Sequence, residues 1–295
     1  MGFKVSETSF KADDGYELHG AIYTAINHHP QNTAKVDRVL IIGSAFGVPY
    51  QYYKHIAGFL AKQGITVLTF DYRGISHSKH GNMPTSEILM QHWGQQDLEA
   101  AIQFVQKQYQ PEQLYYLGHS AGGQIIGLAP SSNQLDKIVI AASGVGAWRL
   151  WPGLQKYALA AIWYLVFPIV MSLQFGDVFK SRFLGPIPVP KNAVKQWLTW
   201  ARSKDYLFTP EHGLDLSGYT KIEADIMGIT ITDDWYAPKE ARDGLLKHYM
   251  KAKKAVIDVS PQSLELKSIG HFGLFKKKKE IEHGIWQPIV NFLTD

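Results

Sequence analysis

Short apolar runs alternate along this chain with segments of helical spacing, and this alternation constrains the fold more than any other feature. Segments 52–63 and 97–108 place their apolar residues on one helical face. Strands that alternate with helices need crossover connections, which produce a parallel sheet covered on both faces. We therefore expect an α/β fold with a mostly parallel sheet. The apolar runs are residues 38–42, 65–70, 113–117, 137–142, 225–232 and 255–259.

The first residues have a different pattern. Residues 8–11 and 17–24 have strand character, and the Asp-Asp-Gly run at 13–15 between them is typical of a turn. A hairpin of this kind adds an antiparallel edge to the sheet. With the six apolar runs it brings the expected sheet to eight strands.

Between residues 145 and 218 the alternation stops. This segment contains five of the eight tryptophans, several prolines and helical spacing without strand patterns. We therefore expect residues 145–218 to form a helical cap. The core of the fold is then formed by residues 1–144 and 219–295.

One stretch of the expected cap, residues 157–173, is almost entirely apolar, and no charged residue lies between Lys156 and Asp177. Its length is close to the ~18 apolar residues that predict a transmembrane helix. Pro168 interrupts it, and a span here would place the strands before and after it on opposite sides of a membrane. We expect a pair of apolar lid helices, with peripheral contact to the inner membrane as the alternative.

The motif Gly-His-Ser-Ala-Gly at residues 118–122 directly follows an apolar run and precedes an expected helix start at 124–128. A serine between strand and helix adopts a cramped backbone conformation, which only small residues two positions before and after it tolerate. Its hydroxyl is then exposed at the carboxyl edge of the sheet. This context predicts that Ser120 is a nucleophile.

A serine nucleophile needs a base and an orienting carboxylate, which follow it in this chain order as acid and then histidine. Asp233 and Asp234 both follow a late strand, and we favour Asp234 because its spacing to Pro238 fits the expected turn. His271 lies beyond the last strand between two glycines. We predict a triad of Ser120, Asp234 and His271.

The oxyanion of an acyl-transfer reaction needs two preorganised N–H groups. We expect one from Ala121, the residue after the nucleophile, and the other from the loop after the third strand. In that loop Ala45 is the first choice and Phe46 the second. Phe46, His119 and Trp163 are candidate substrate contacts, although a ring at position 119 commonly points into packing.

Composition excludes several function classes. The net charge is only +4, and the one dense basic run, residues 276–279, stands beside two glutamates, so we expect no nucleic-acid partner. Cysteine is absent, and the polar loop with His28 and His29 lacks further ligands nearby, so neither a disulfide nor a metal site is expected. The first residues lack the apolar stretch of a signal peptide, which favours a cytoplasmic protein. No cofactor is expected.

Residues 196–200, 204–206 and 270–273 are similar to those of a group of predicted bacterial hydrolases. The motifs as a whole resemble the α/β-hydrolase superfamily, in its serine-aminopeptidase-like and monoglyceride-lipase-like branch. The resemblance rests on residues 43–47, on Asp-Tyr-Arg-Gly-Ile-Ser-His-Ser at 71–78, on the motif around Ser120, and on the Asp234 and His271 pair. Two positions depart from the family pattern. Gly-Ser stands at 43–44 in place of His-Gly, and serine stands at position 76 in place of glycine.

The resemblance implies hydrolysis of an ester, thioester or amide, with the variable cap selecting the substrate. The aromatic cap favours an apolar acyl group on a small-molecule substrate. An aminopeptidase would need acidic cap residues to hold a substrate ammonium, and the cap has only four. A non-catalytic binding protein that kept the fold is the remaining alternative. Sequence alone indicates no oligomeric state.

Overall fold

The computed structural model describes residues 2–26 and 36–295 of the chain. The strands of its main sheet follow the expected alternation closely: their ends lie within two residues of the expected ones, except that the first strand begins at Phe3 instead of residue 8. His28 and His29 lie outside the described residues. The strands are β1 (Phe3–Lys11), β2 (Glu17–Ala25), β3 (Arg38–Gly43), β4 (Thr66–Phe70), β5 (Gln113–His119), β6 (Lys137–Ala141), β7 (Val178–Phe179), β8 (Val189–Pro190), β9 (Asp225–Ile231) and β10 (Lys254–Val259).

Eight of these strands form one sheet, in the order β1-β2-β4-β3-β5-β6-β9-β10. The strand β2 pairs antiparallel with both β1 and β4, and all remaining neighbours pair in parallel. The predicted eight-stranded, mostly parallel sheet is confirmed. Because β5, β9 and β10 run in the same direction, the loops that follow them meet at one edge of the sheet.

Helices cover both faces of this sheet. The α-helices are Lys54–Lys62, Met90–His92, Glu99–Tyr109, Ala121–Gln124, Gln155–Ala161, Phe167–Ser172, Lys191–Arg202, Ser217–Lys221, Lys239–Leu246, Gly270–Gly273, Lys279–Ile281 and Gln287–Thr294. Three π-helical turns, Trp93–Leu98, Ile162–Val166 and Glu282–Trp286, join some of them. The expected helix start at 124–128 is wrong: a four-residue helix begins at Ala121, and a 3₁₀ turn follows at Ile126–Leu128.

The core has two apolar clusters, one on each face of the sheet. Val39 and Ile41 of β3 point into the first cluster, and Leu40 and Ile42 point into the second. This alternation follows from the two-residue period of a strand whose two faces are both buried. The first cluster continues without interruption into side chains of the cap such as Trp163, so the cap packs on that face.

The inserted segment departs from the expectation in two respects. It contains the two-stranded antiparallel ladder of β7 and β8 besides its helices. The expected pair of lid helices is instead one continuous helix, Gln155–Ser172, which we call the cap helix. Pro168 does not break it, because the π turn at Ile162–Val166 just before the proline reorganises the local hydrogen bonding.

The cap helix is the one helix in the described part of the chain that is long and apolar enough to cross a membrane by length and composition. Only 22% of its 18-residue window is buried inside the protein. Length and composition are weak evidence for a span, since core helices of soluble proteins pass the same test. The strands before and after it lie in one sheet.

The segment after β4 is held by buried charges. Arg73 donates to Asp97 through Nε at 2.6 Å and to Asp14 through Nη1 at 2.7 Å. Burial raises the pKa of Asp97 to about 6, against the opposing effect of Arg73. Ser76, the residue in place of the family's glycine, has a φ of +42°, so this turn keeps the left-handed conformation that glycine favours.

Candidate active site

Ser120 occupies a sharp turn between β5 and the short helix Ala121–Gln124, with φ +50° and ψ −116°. Close backbone approach explains the glycines around it. A Cβ at Gly118 would lie 2.6 Å from the backbone of Gly123, and a Cβ at Gly122 would lie 2.3 Å from the carbonyl oxygen of Gly43. The strained serine is therefore held by contacts that admit only glycine beside it.

The structure brings the three predicted triad residues together. The Oγ of Ser120 lies 2.8 Å from Nε2 of His271, and Nδ1 of His271 lies 2.7 Å from Oδ2 of Asp234. Asp234 is buried and also accepts the amide N–H of Tyr236 at 2.7 Å through Oδ1. The carboxylate is thus fixed from both sides, and it fixes the histidine ring facing the serine.

Asp233, the alternative acid, has a different place. Its carboxylate accepts the amide N–H groups of Ile269 and Gly270 at 3.0 and 2.9 Å. It therefore anchors the loop that carries His271 and does not contact the imidazole. Gly270 has a φ of +60°, which places the loop in a tight turn at this anchor.

Above Ser120 lies a partly open, mostly apolar cavity of about 50 Å³. Phe46 and Trp163, two of the three predicted substrate contacts, line it. Among the described residues, none that lines this cavity carries a carboxylate or a cationic Lys or Arg. The lining residues are Phe46, Ser120, Ala121, Gln124, Gly146, Trp151, Leu159, Trp163, Phe183, Leu184, Trp197, Trp235, Tyr236, His271 and Phe272.

Known proteins share this architecture. The family described as serine aminopeptidase, S33, has a model that matches residues 34–180, which include the elbow and the loop after β3. This chain belongs to the α/β-hydrolase superfamily. The family assignment makes it a serine hydrolase by class. No curated protein matches the sequence.

Solved structures of the superfamily cover almost the whole chain. The esterase Est1E from Butyrivibrio proteoclasticus, with ferulic acid bound, is 14% identical with a TM-score of 0.60 and 97% coverage of both chains. An esterase from Exiguobacterium antarcticum is 16% identical with a TM-score of 0.60 and full coverage of both chains. Est816, described as an N-acyl homoserine lactone degrading enzyme, is 16% identical with a TM-score of 0.60, over 97% of this chain and all of its own. At this identity the likeness shows a shared fold.

Two of the predicted site residues of this hydrolase have other surroundings than expected. His119 is fully buried behind His271 and is not part of the cavity wall, so its prediction as a substrate contact is wrong. Its Nε2–H donates to the carbonyl oxygen of His271 at 3.0 Å, and its Nδ1 accepts the hydroxyl of Tyr53 at 2.9 Å. Burial lowers the pKa of His119 well below its usual value, so the ring is neutral.

Ala45, the first choice for the second oxyanion donor, also points away from the reaction. Its amide N–H donates to the Tyr53 hydroxyl at 2.9 Å, and the residue does not line the cavity. Phe46, the second choice, does line it. Ala121 is the first residue of the helix after the elbow, so its N–H has no acceptor within that helix.

Sequence reasoning missed Tyr53 and Gln124. Tyr53 joins the loop after β3 to His119, and burial raises its pKa far above the usual value. Gln124 lines the cavity with its amide held by the Tyr206 hydroxyl at 2.6 Å and by the carbonyl oxygen of Gly144 at 2.7 Å. Tyr53 has no local signal in the sequence, whereas Gln124 lies four residues after the predicted nucleophile, which is one turn into the helix behind it.

Proposed function

We propose that this serine hydrolase cleaves carboxylic esters or thioesters that carry a short apolar acyl group, through a Ser120 acyl-enzyme. The observation that carries the proposal is the unbroken hydrogen-bond line from Ser120 through His271 to Asp234, opening into a cavity with aromatic and aliphatic walls. Ester cleavage by the neighbouring esterases is consistent with this reading.

The reaction is acyl transfer in two steps. Ser120 Oγ forms a bond to the substrate carbonyl carbon while His271 Nε2 takes the hydroxyl proton, and Asp234 stabilises the resulting imidazolium. The tetrahedral oxyanion collapses, and the alcohol or thiol leaves with the proton from His271. A water molecule then gives its proton to His271 and attacks the acyl-enzyme, which releases the acid and regenerates Ser120.

For the oxyanion hole we propose the amides of Ala121 and Phe46 in place of Ala121 and Ala45. The Ala45 amide is already engaged by Tyr53, whereas Phe46 stands beside Ser120 in the cavity wall. Each such donor stabilises the transition state by about 2.7–4 kcal/mol. No metal or organic cofactor has a part in these steps.

The size and polarity of the cavity favour short apolar acyl groups. Its ~50 Å³ is far below the roughly 300–1,000 Å³ of sites for drug-sized ligands. Each methylene that the cavity buries contributes ~0.8 kcal/mol. A butanoyl group therefore gains over an acetyl group, and longer chains require rings such as Trp163 to move.

A nitrophenyl ester series on the purified protein tests this proposal. We expect kcat/KM to rise about 10-fold from acetyl to butanoyl esters, in line with the transfer of two methylenes, and to fall for octanoyl and longer esters. Equal rates for acetyl and butanoyl esters would exclude an apolar acyl pocket. A parallel thioester series shows which leaving group is preferred.

Two alternatives are distinguished on the same sample. A binding protein that kept the fold would not react with a fluorophosphonate probe, whereas the proposed enzyme is labelled and its Ser120→Ala variant is not. An aminopeptidase would cleave aminoacyl nitroanilides, whereas the proposed esterase would leave them uncleaved. The second alternative has little support, since a substrate ammonium would find no carboxylate among the described lining residues.

A further inference from the structure

The outer side of the cap carries most of the exposed apolar surface. Of the twelve large apolar side chains that are exposed among the described residues, eight lie between residues 154 and 175. Leu165, Ile169 and Leu173 are 60%, 57% and 72% exposed, and Phe175 is 96% exposed. Scattered exposed apolar residues are ordinary, but a contiguous group of this kind marks a binding surface.

The opposite side of the same helix is buried against the protein. Leu159, Trp163, Phe167 and Met171 are each less than 8% exposed, and the first two line the cavity above Ser120. The cap helix is therefore apolar on both sides, but only one side packs against the protein. A helix in this position can lie on an apolar surface but cannot leave the protein to span one.

Cations border the exposed side. An open groove of about 570 Å³ runs between the cap helix and the helix Lys191–Arg202. Lys191, Lys195 and Arg202 line it, together with Met171 and Ser172 of the cap helix, and no lining residue among those described is acidic. Lys191 and Arg202 also donate to the carbonyl oxygens of Gln174 and Trp163, which holds their charges at the groove.

The cap as a whole is basic. Residues 145–218 contain eight Lys or Arg and four Asp or Glu, a net charge of +4 that equals the net charge of the whole chain. A second copy of the chain on this face would bring two such surfaces together, and like charges oppose that contact. An anionic lipid surface provides an apolar phase for the exposed side chains and negative charges for the basic groove.

We propose that the outer side of the cap helix, together with residues 173–175 that follow it, docks on an anionic phospholipid surface. Leu165, Ile169, Leu173 and Phe175 enter the boundary between headgroups and acyl chains, and the groove of Lys191, Lys195 and Arg202 faces the headgroup phosphates. The catalytic cavity then lies directly behind the membrane-facing helix. This docking is independent of the proposed acyl specificity.

Co-sedimentation of the full chain with vesicles tests the proposal. The probes are phosphatidylcholine vesicles with and without 30% phosphatidylglycerol, each at low and high salt. We expect binding to the anionic vesicles that weakens at high salt, because the screening length shortens from about 10 Å at 0.1 M to about 3 Å at 1 M. Equal or absent binding to both vesicle types would overturn the proposal.

Matched variants separate the cap from the rest of the surface. Ile169→Asp and Lys195→Glu should each reduce vesicle binding about 10-fold or more. Met250→Asp and Lys267→Glu change an exposed apolar side chain and an exposed lysine on the core, and we expect these two variants to bind vesicles as the unchanged protein does. All four should hydrolyse a soluble nitrophenyl ester as the unchanged protein does, which shows that they fold.

The same variants test whether a second copy of the chain, instead of a lipid surface, covers the cap helix. If the chain is dimeric by light scattering without lipid, and Ile169→Asp makes it monomeric, a second copy covers the cap helix and the proposal is wrong. If the core variants lose vesicle binding as much as the cap variants, the contact is a general effect of charge and the cap is not the docking surface.

Discussion

The sheet edge that carries Ser120 and the cap above it are built in opposite ways. At the edge, the three triad side chains are joined by hydrogen bonds of 2.8 and 2.7 Å in a line from Ser120 to Asp234. In the cap, aromatic rings pack edge to face, as Trp163 does on Trp197 with ring centroids 4.8 Å apart, and a hydrogen bond from the Trp163 indole N–H to the carbonyl oxygen of Gly146 holds that ring in place. Under the proposed function, the edge determines whether a reaction occurs, and the cap determines which acyl group reaches it.

The two adjacent aspartates give the largest expected effect and the sharpest test of the edge. Asp234→Asn should lower kcat about 10⁴-fold, because an asparagine does not hold the histidine in the required tautomer. Asp233→Asn should lower kcat about 10-fold at most, since an asparagine oxygen still accepts one of the two loop amides. Steady-state kinetics on a butanoyl ester measures both, and equal losses would contradict the assignment.

The buried chain from Ala45 through Tyr53 to His119 supports the edge from behind. Tyr53→Phe leaves the Ala45 amide and His119 Nδ1 without partners, so we expect a loss of about 2 kcal/mol or more in the free energy of unfolding. It should also lower kcat about 10-fold with KM unchanged, because His119 holds the backbone of His271.

Tyr249 provides the matched control for this change. Its hydroxyl is buried and has no hydrogen-bond partner among the described residues. Tyr249→Phe should therefore leave both kcat and the midpoint of urea unfolding close to those of the unchanged protein. If both variants lose stability equally, the hydroxyl of Tyr53 has no special role.

Trp163→Ala tests the cap side of the comparison. The indole is 3% exposed and lines the cavity, so its removal lengthens the acyl site. We expect the ratio of kcat/KM for octanoyl over butanoyl esters to rise about 10-fold, within the range that one or two methylenes provide. Trp148→Ala, a cap tryptophan outside the cavity wall, should leave this ratio unchanged.

The smallest expected effect is on stability and comes from His248, which lies at the contact between the core and the cap. Its ring stacks on Phe208 of the cap with centroids 3.4 Å apart, and burial lowers its pKa from 6.5 to about 4. The unfolded chain therefore binds a proton that the folded chain resists, and stability falls as the pH drops from 7 towards 4.

The size of this effect follows from the pKa shift, reduced because the ring is only half-buried. Between pH 7 and pH 5 the unchanged protein should lose about 1 kcal/mol relative to His248→Gln. Urea unfolding of the two proteins at several pH values measures this difference directly. If the difference in unfolding free energy between the two proteins stays constant with pH, His248 does not contribute to the pH dependence of stability.

The sequence predicted the edge well because its constraints are local. A glycine pair around Ser120, and one residue after each late strand, are enough to place three side chains at one edge of a parallel sheet. His119 could not be placed in this way. Its partners Tyr53 and His271 lie 66 and 152 residues away, and only the packed structure brings them to one ring.

The form of the inserted segment differs from the one expected. Composition marked the insertion, and the tryptophans indicated an apolar interior, yet the single cap helix was expected as a pair because Pro168 normally ends a helix. The choice of Ala45 as an oxyanion donor also depended on a contact that the sequence does not show. Whether Ala45 or Phe46 faces the cavity depends on a tyrosine hydroxyl, Tyr53, that competes for one of their amides.

The π turn at Ile162–Val166 has a consequence for the phase of the cap helix. The buried positions Leu159, Trp163, Phe167 and Met171 repeat every four residues, and four residues of an α-helix turn ~400°, so a regular helix would drift ~40° per repeat. A wider turn in the middle absorbs part of that drift. The extra residue in the π turn thus keeps the buried side chains in one line along the helix and the exposed side chains in another. Deleting a single residue there would rotate the second half of the helix by about a quarter turn and turn the buried side chains of Phe167 and Met171 away from the protein.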